Sequence, residues 1–318
     1  MVLACGVIGS LGRYYWVFDL FSHFVPQYTI IGGGLAFLLL LEGEKNIALV
    51  MFVFAAIHAY MMEPLWKKDD GQINATNDTL TILQYNVNKD NLNTQAIEQW
   101  LFSPAQQADM VVLLELTPHW DEAVKQLSAK YPYYYVKRLR GERAAGIFSK
   151  VEINHFHVRK IQGLKARIAT FDILTERYKR PVSFVVMHPT PPVSASRFKR
   201  RNKMLSDVAH MIADQSNFDQ EKTHVVLVGD LNITRWSGFF KDFIHISGLH
   251  DAQEGKGYMG TWPSFIGSKF GIDIDHTLIS SKISVIKRQV GPNFASDHLP
   301  VITTLSIPTL QGVTKKNL

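Results

Sequence analysis

An α/β body carried behind an apolar helical front end is the fold class this sequence predicts, and three observations predict it. Two runs, "VPQYTIIGGGLAFLLLL" (25–41) and "IALVMFVFAAIHAYMM" (47–62), are apolar on every face, so neither keeps a polar stripe for water. Beyond residue 79, short β-branched runs alternate with stretches of helical periodicity. Most of those runs are continuously apolar, the pattern of strands covered on both sides.

The front end comes first. Its two runs hold 17 and 16 residues, at the short end of the roughly 17–25 that cross a bilayer as a helix. The charged turn "EGEKN" (42–46) joins them, which gives a transmembrane hairpin. Upstream, "MVLACGVIGSLG" (1–12) reads as a shorter third span and "RYYWVFDLFSHF" (13–24) as an aromatic interfacial stretch. No basic segment precedes the first apolar stretch, which argues against a cleaved signal peptide. Residues 1–66 are therefore expected to anchor the chain in a membrane with two to three spans. The polar "KKDDGQINATNDT" (67–79) follows as a linker.

Charge and cysteine content set outer limits. The first 66 residues carry two basic and four acidic side chains, so the chain's net charge of +6 becomes +8 over 67–318. A surface of that sign favours polyanions: nucleic acid, phosphorylated small molecules or anionic head groups. The single cysteine, Cys5, excludes an intrachain disulfide.

Within the body, strands are expected at "LTILQY" (80–85), "MVVLLEL" (110–116), "SFVVMH" (183–188), "HVVLVGD" (224–230), "HTLISS" (276–281) and "PVITTLSI" (300–307). "TPHWDEAVKQLSAK" begins a helix, with Thr117 as N-cap and Pro118 at the first helical position. "SRFKRRNKMLSDVAHMIAD" is a second, with Leu205, Val208 and Ile212 on one apolar face. The body spans 80–307, and 308–318 form a tail.

The chemistry-bearing residues fall at the strand ends. Asn86, Glu115, His188, Asp230 and Asn232 follow strands, while Asp273, Asp275, Asp297 and His298 precede them. In an α/β sheet such ends meet in one crevice. Each residue taken alone has a plain structural explanation as a turn former or solvated acid. As a set, carboxylate and amide oxygens suit a hard divalent cation.

The motifs "QYNV" (84–87), "LLEL" (113–116), "MHPTPP" (187–192), "GDLN" (229–232), "TWP" (261–263), "IDHTLIS" (274–280) and "SDHLPV" (296–301) resemble, in order and interval, those of the endonuclease/exonuclease/phosphatase superfamily. That superfamily includes deoxyribonuclease I, abasic-site endonucleases, neutral sphingomyelinases and inositol polyphosphate 5-phosphatases. The resemblance implies a four-layer α/β sandwich, two packed mixed β-sheets flanked by helices, behind the transmembrane helices. It implies a phosphoester hydrolase dependent on Mg²⁺ or Mn²⁺. Glu115 would hold the metal with Asn86 beside it and Asp297 close by. Asp230 would orient and deprotonate the attacking water, and Asn232 would bind phosphate. His298, paired with Asp275, would donate to phosphate oxygens, and His188 would stabilise the transition state or leaving group. His188 stands where abasic-site endonucleases place a tyrosine, which turns the resemblance towards the deoxyribonuclease, sphingomyelinase and phosphatase branches. In "RFKRR" (197–201), Arg201 is a candidate phosphate contact, with a solvated helix face as the alternative. Trp262 reads as a packing residue, and Asp273 has no assigned role.

The leading expectation is a membrane-anchored phosphodiesterase or nuclease with nucleic acid as the favoured partner and no obligate protein partner. The front end resembles that of bacterial membrane-anchored members, which suggests the inner membrane and an extracytoplasmic catalytic domain. The alternatives are a phospholipid or sugar-phosphate phosphatase of sphingomyelinase type, and a catalytically inactive binding domain on a membrane tether.

Overall fold

The structure, a computed structural model, describes residues 1–67, 78–103, 107–140, 143–173, 181–214, 218 and 223–308. Apart from their edge residues, the expected linker (67–79) and tail (308–318) lie outside them.

Four helices open the chain: α1 (Val2–Ser10), α2 (Trp16–Phe21), α3 (Val25–Leu41) and α4 (Lys45–Met61). α3 and α4 pack as the expected hairpin through Tyr28, Ala36, Met51 and Phe54. Gly32 lets them close: a Cβ there would sit 3.1 Å from the Phe54 ring. Away from this seam the hairpin leaves Leu35, Phe37, Leu38, Leu49, Val50, Phe52 and Val53 exposed, a surface unsuited to water. By length and composition one continuous helical stretch, Trp16–Leu41, qualifies as a span, and Lys45–Met61 is a shorter apolar helix.

The body contains β1 (Asp78–Asn86), α5 (Thr94–Phe102), β2 (Met110–Leu116), α6 (Asp121–Lys130), β3 (Tyr133–Arg140), β4 (Arg143–Ser149), β5 (Ile153–Lys160), β6 (Arg167–Ile173) and β7 (Val182–Val186). It continues through α7 (Ala195–Ala213), β8 (His224–Asp230), α8 (Gly238–Ser247), β9 (His250–Asp251), β10 (Asp275–Ile279), β11 (Ser284–Val290) and β12 (Val301–Ile307). Two six-stranded sheets form, β11-β12-β1-β2-β4-β3 and β5-β6-β7-β8-β10-β9. They are mixed: β1/β2 and β7/β8 are parallel, and the other pairs are antiparallel.

Period-two alternation within apolar strands builds the layers. Leu80 and Ile82 of β1, Val112 and Leu114 of β2, Phe184 and Val186 of β7, and Val226 and Val228 of β8 meet between the sheets. The intervening residues face outward. Leu83, Tyr85, Val111 and Leu113 receive Ile97 and Leu101 of α5 and Leu127 of α6. Val185, Val225 and Leu227 receive Leu205, Val208 and Ile212 of α7 and Phe240 of α8. Both faces of the central strands are therefore dry, which explains their unbroken apolarity. The result is the expected four-layer sandwich. Thr117 precedes a short 3₁₀ turn (Pro118–Trp120) rather than α6 itself, and its side chain makes no capping bond.

Register brings the functional ends to one edge. β1 and β2 run parallel, so Asn86 and Glu115 emerge together. β12 runs antiparallel to β1 with Val301 opposite Gln84, so the preceding Asp297 and His298 arrive at the same edge. In the second sheet Asp275 pairs directly with Asp230. Gly229 permits the last approach: a Cβ there would lie 1.9 Å from the Met187 carbonyl oxygen.

Candidate active site

These ends line a cleft of about 390 Å³ whose walls include Asn86, Glu115, His188, Asp230, Asn232, Asp297 and His298. Asp230 is its centre and is only 2% exposed. Its Oδ2 accepts from Asn86 Nδ2 at 3.0 Å and lies 3.3 Å from His188 Nε2 and 3.7 Å from His298 Nε2. Its Oδ1 accepts the Asn232 backbone N–H at 2.9 Å. Burial by itself would raise this carboxyl's pKa. The charge of His298, with the hydrogen bond and charge of His188 and the Asn232 amide, outweighs burial and holds Asp230 well below the usual carboxylate range.

Asp275 Oδ2 pairs with His298 Nδ1 at 2.8 Å, which leaves His298 Nε2 facing Asp230. Burial opposes the imidazolium, but the charges of Asp275 and Asp230 and the Asp275 hydrogen bond prevail and raise His298 to about 10. Its folded pKa thus lies above the ordinary 6.5. The stability it contributes is fully present below pH 6.5 and is lost as pH rises through about 10. Urea denaturation in EDTA should show the stability gap between wild type and His298→Gln shrinking over that window; a flat gap would contradict the pairing.

Glu115 occupies the left-handed region at φ +64°, where the β2/β4 register shifts between Leu113 and Leu116. That irregularity turns its carboxylate into the cleft. Oε1 accepts from Arg143 at 2.6 Å and lies 3.6 Å from His188 Nε2, while Oε2 accepts the Lys89 N–H at 3.3 Å. Asp297 stands at the rim, accepting from Asn88 Nδ2 at 2.8 Å and from the Trp262 indole N–H at 3.0 Å. Ser296 Oγ donates to the Asn86 carbonyl at 2.7 Å and ties the "SDH" turn to the end of β1. Asn232, at φ +52°, donates its side-chain amide to the Pro189 carbonyl at 3.2 Å.

Two expectations change. Arg201 does not reach the cleft. It is fully buried and pairs with Asp19 at 2.6 Å, while its Nη1 donates to the Asn232 carbonyl at 3.1 Å. Trp262 lines the cleft rather than serving only as packing. Asp273 lies in a separate buried cluster with Asp251 and His276, where Arg288 and Arg235 supply positive charge.

Sequence reading missed Asn88, Lys89 and Arg143. Asn88 had a signal, two residues beyond Asn86; Arg143 had none. It also missed that the helical front end contributes to the wall through Leu20 and His23. His23 Nδ1 bonds to Thr234 Oγ1 at 2.9 Å, and Arg13 makes a paired contact with Asp242 at 2.6 and 2.7 Å. The front end is docked on the body beside the cleft.

The donor set fits a hard divalent cation. Glu115 and Asp297 offer carboxylate oxygens and Asn86 an amide oxygen, with Asp230 behind them. Asp230, Asp275 and His298 also converge within 4.8 Å, with the His298 Nδ1 turned to Asp275.

The family model described as the Endonuclease/Exonuclease/phosphatase family matches residues 83–298, the stretch that carries Asn86 through His298. The chain belongs to that family. Among curated proteins no sequence matches it. Solved structures agree on the fold. An endonuclease/exonuclease/phosphatase from Beutenbergia cavernae has a TM-score of 0.59 at 19% identity, covering 72% of each chain. D. rerio TDP2 complexed with single-strand DNA product gives 0.58 at 14%, covering 72% of this chain and 99% of that one. The 3′ phosphatase NExo from Neisseria bound to product DNA hairpin gives 0.55 at 18%, covering 70% and 98%. The family is one of metal-dependent phosphoesterases, and the cleft gathers buried acidic and imidazole groups.

Proposed function

We propose that this endonuclease/exonuclease/phosphatase member is a membrane-anchored phosphodiesterase that cleaves nucleic acid by water attack on phosphorus, with Mg²⁺ or Mn²⁺ held by Glu115, Asn86 and Asp297. The observation that carries this reading is Asp230, buried and faced by His188, His298 and Asn86 at one cleft. A divalent ion supplies neutralisation of the nonbridging oxygens and of the leaving oxygen. Asp230, ionised and buried at the centre of the cleft, orients the water and takes its proton as the bond to phosphorus forms. His298, kept protonated by Asp275, donates from Nε2 to a phosphate oxygen. His188 donates to the leaving group, and Asn232 holds a phosphate oxygen. A binding domain without turnover would have no use for this buried, charge-balanced set.

Residues 1–66 anchor the protein in this reading, with the catalytic body on the extracytoplasmic side of a bacterial inner membrane. The exposed apolar surface of α3 and α4 supports the anchoring, and protease protection on intact cells tests the side. One observation favours a second substrate, a phospholipid head group. Phe265 and Phe270 are exposed on the loop after Trp262, and Gln27 of α3 donates to the Phe270 carbonyl at 2.7 Å, so an apolar loop stands between hairpin and cleft.

The full chain in detergent, supplied with Mg²⁺, should cleave DNA or RNA oligonucleotides, and EDTA should abolish the activity. Turnover of sphingomyelin or phosphoinositides without any oligonucleotide cleavage would transfer the assignment to the lipid reading.

A further inference from the structure

A second groove, of about 510 Å³, adjoins the catalytic cleft and shares Lys89 and Pro191 with it. Its charged lining residues are all cationic: Lys89, Arg143, Lys165, Arg197 and Arg200. Two of them are engaged, Arg143 with Glu115 and Lys89 with Asp90. The other three, exposed on the β5–β6 turn and the first turns of α7, have no acidic partner among the described residues. The "RFKRR" segment thus divides by helical position. Arg197 and Arg200 face the groove, while Arg201 turns inward to Asp19.

We propose that this groove holds non-scissile phosphates of a nucleic-acid strand whose scissile phosphate lies in the cleft. The inference rests on the nucleic-acid reading above and extends it. Three unpaired cations in a concave surface repel one another, and a polyanion relieves that repulsion. A substrate with a single phosphate would be satisfied by the cleft and leave the groove without a ligand. A strand supplies phosphates at regular intervals and reaches both. No residue of the four opening helices lines the groove, so a head group held at the hairpin side is not what its charges serve. Thr117 adds a hydroxyl donor on the same surface, the mixture common in backbone contacts.

The test compares kcat/KM for a dinucleotide and for a longer single-stranded oligonucleotide, using full-length wild type and Arg197→Ala/Arg200→Ala. The ratio of the two values cancels any loss of folded enzyme. Wild type should prefer the longer substrate, and the double variant should reduce that preference about tenfold. The dependence of log(kcat/KM) on log[salt] should become shallower by about 1.4 for two lost single-strand phosphate contacts. An unchanged ratio and salt slope in the double variant, or a wild type indifferent to length, would overturn the groove while leaving the nuclease reading standing. Cleavage of neither oligonucleotide by wild type would overturn the nuclease reading itself.

Discussion

Asp230→Asn is expected to lower kcat by about 10²–10⁴-fold, the range for losing a positioned acid–base group, and to lower the melting temperature as well, because the lost anion is buried against two imidazoles. Asparagine keeps the shape of the side chain and a carbonyl oxygen that can still accept the Asn232 N–H now made at 2.9 Å. It loses the anion that faces His188 at 3.3 Å and His298 at 3.7 Å. Water is then left without a proton acceptor in line with phosphorus. The damage arises only where charge develops, so kcat and kcat/KM should fall together while KM stays near its original value. The substitution also removes one of the three carboxylates that keep His298 charged, so the variant's residual activity should decline at lower pH than wild type's. Measuring kcat and KM from pH 6 to 10, with circular dichroism as the fold control, decides the matter. A kcat within about tenfold of wild type would leave Asp230 as a structural acid and require another base.

The legibility of this molecule divides along burial. The strands read correctly, β1, β2, β7, β8, β10 and β12, are largely buried, and β2, β7 and β8 are almost wholly apolar because both their faces are covered. β5, "INHFHVRK", buries only Ile153 and otherwise mixes half-buried and exposed positions with charged residues among them, and β3, "YYYVKRLR", carries three basic residues at the edge of its sheet. Such strands owe their existence to a neighbour rather than to their own composition. The grouping of the candidate residues in one cleft was legible because each member sits next to a strand end and the strand ends share an edge. Arg143 was not, since its role depends on a contact with Glu115 28 residues away in sequence. Arg201 was misread for a related reason: the sequence shows a cluster of cations, and only the packing of α2 against α7 reveals which of them faces inward.

That inward arginine sets up the largest expected effect on stability. Asp19 and Arg201 are 1% and 0% exposed and meet at 2.6 Å. Asp19 also accepts from Ser237 Oγ at 2.6 Å, and Arg201 stacks over Phe198 at 5.3 Å. Truncating one partner strands the other's charge in a dry site, which typically costs about 3–5 kcal/mol. Asp19→Ala should therefore destabilise the full chain by roughly that amount in denaturant titrations in detergent. Replacing both with apolar residues, Asp19→Leu/Arg201→Met, should cost far less than the sum of the two single changes, because no charge is left unpaired. The exposed Arg13–Asp242 pair, with side chains 53% and 43% accessible, provides the contrast: its removal should cost no more than about 1 kcal/mol. The same chemistry reaches the cleft. Arg201 Nη1 holds the carbonyl of Asn232, whose N–H binds Asp230. An opening-helix carboxylate is thereby three contacts from Asp230, so Asp19→Ala should also slow turnover under conditions where the protein remains folded. Additive single and double variants, or a destabilisation below about 1 kcal/mol for Asp19→Ala, would mean that the front end merely rests on the body and does not help build its active site.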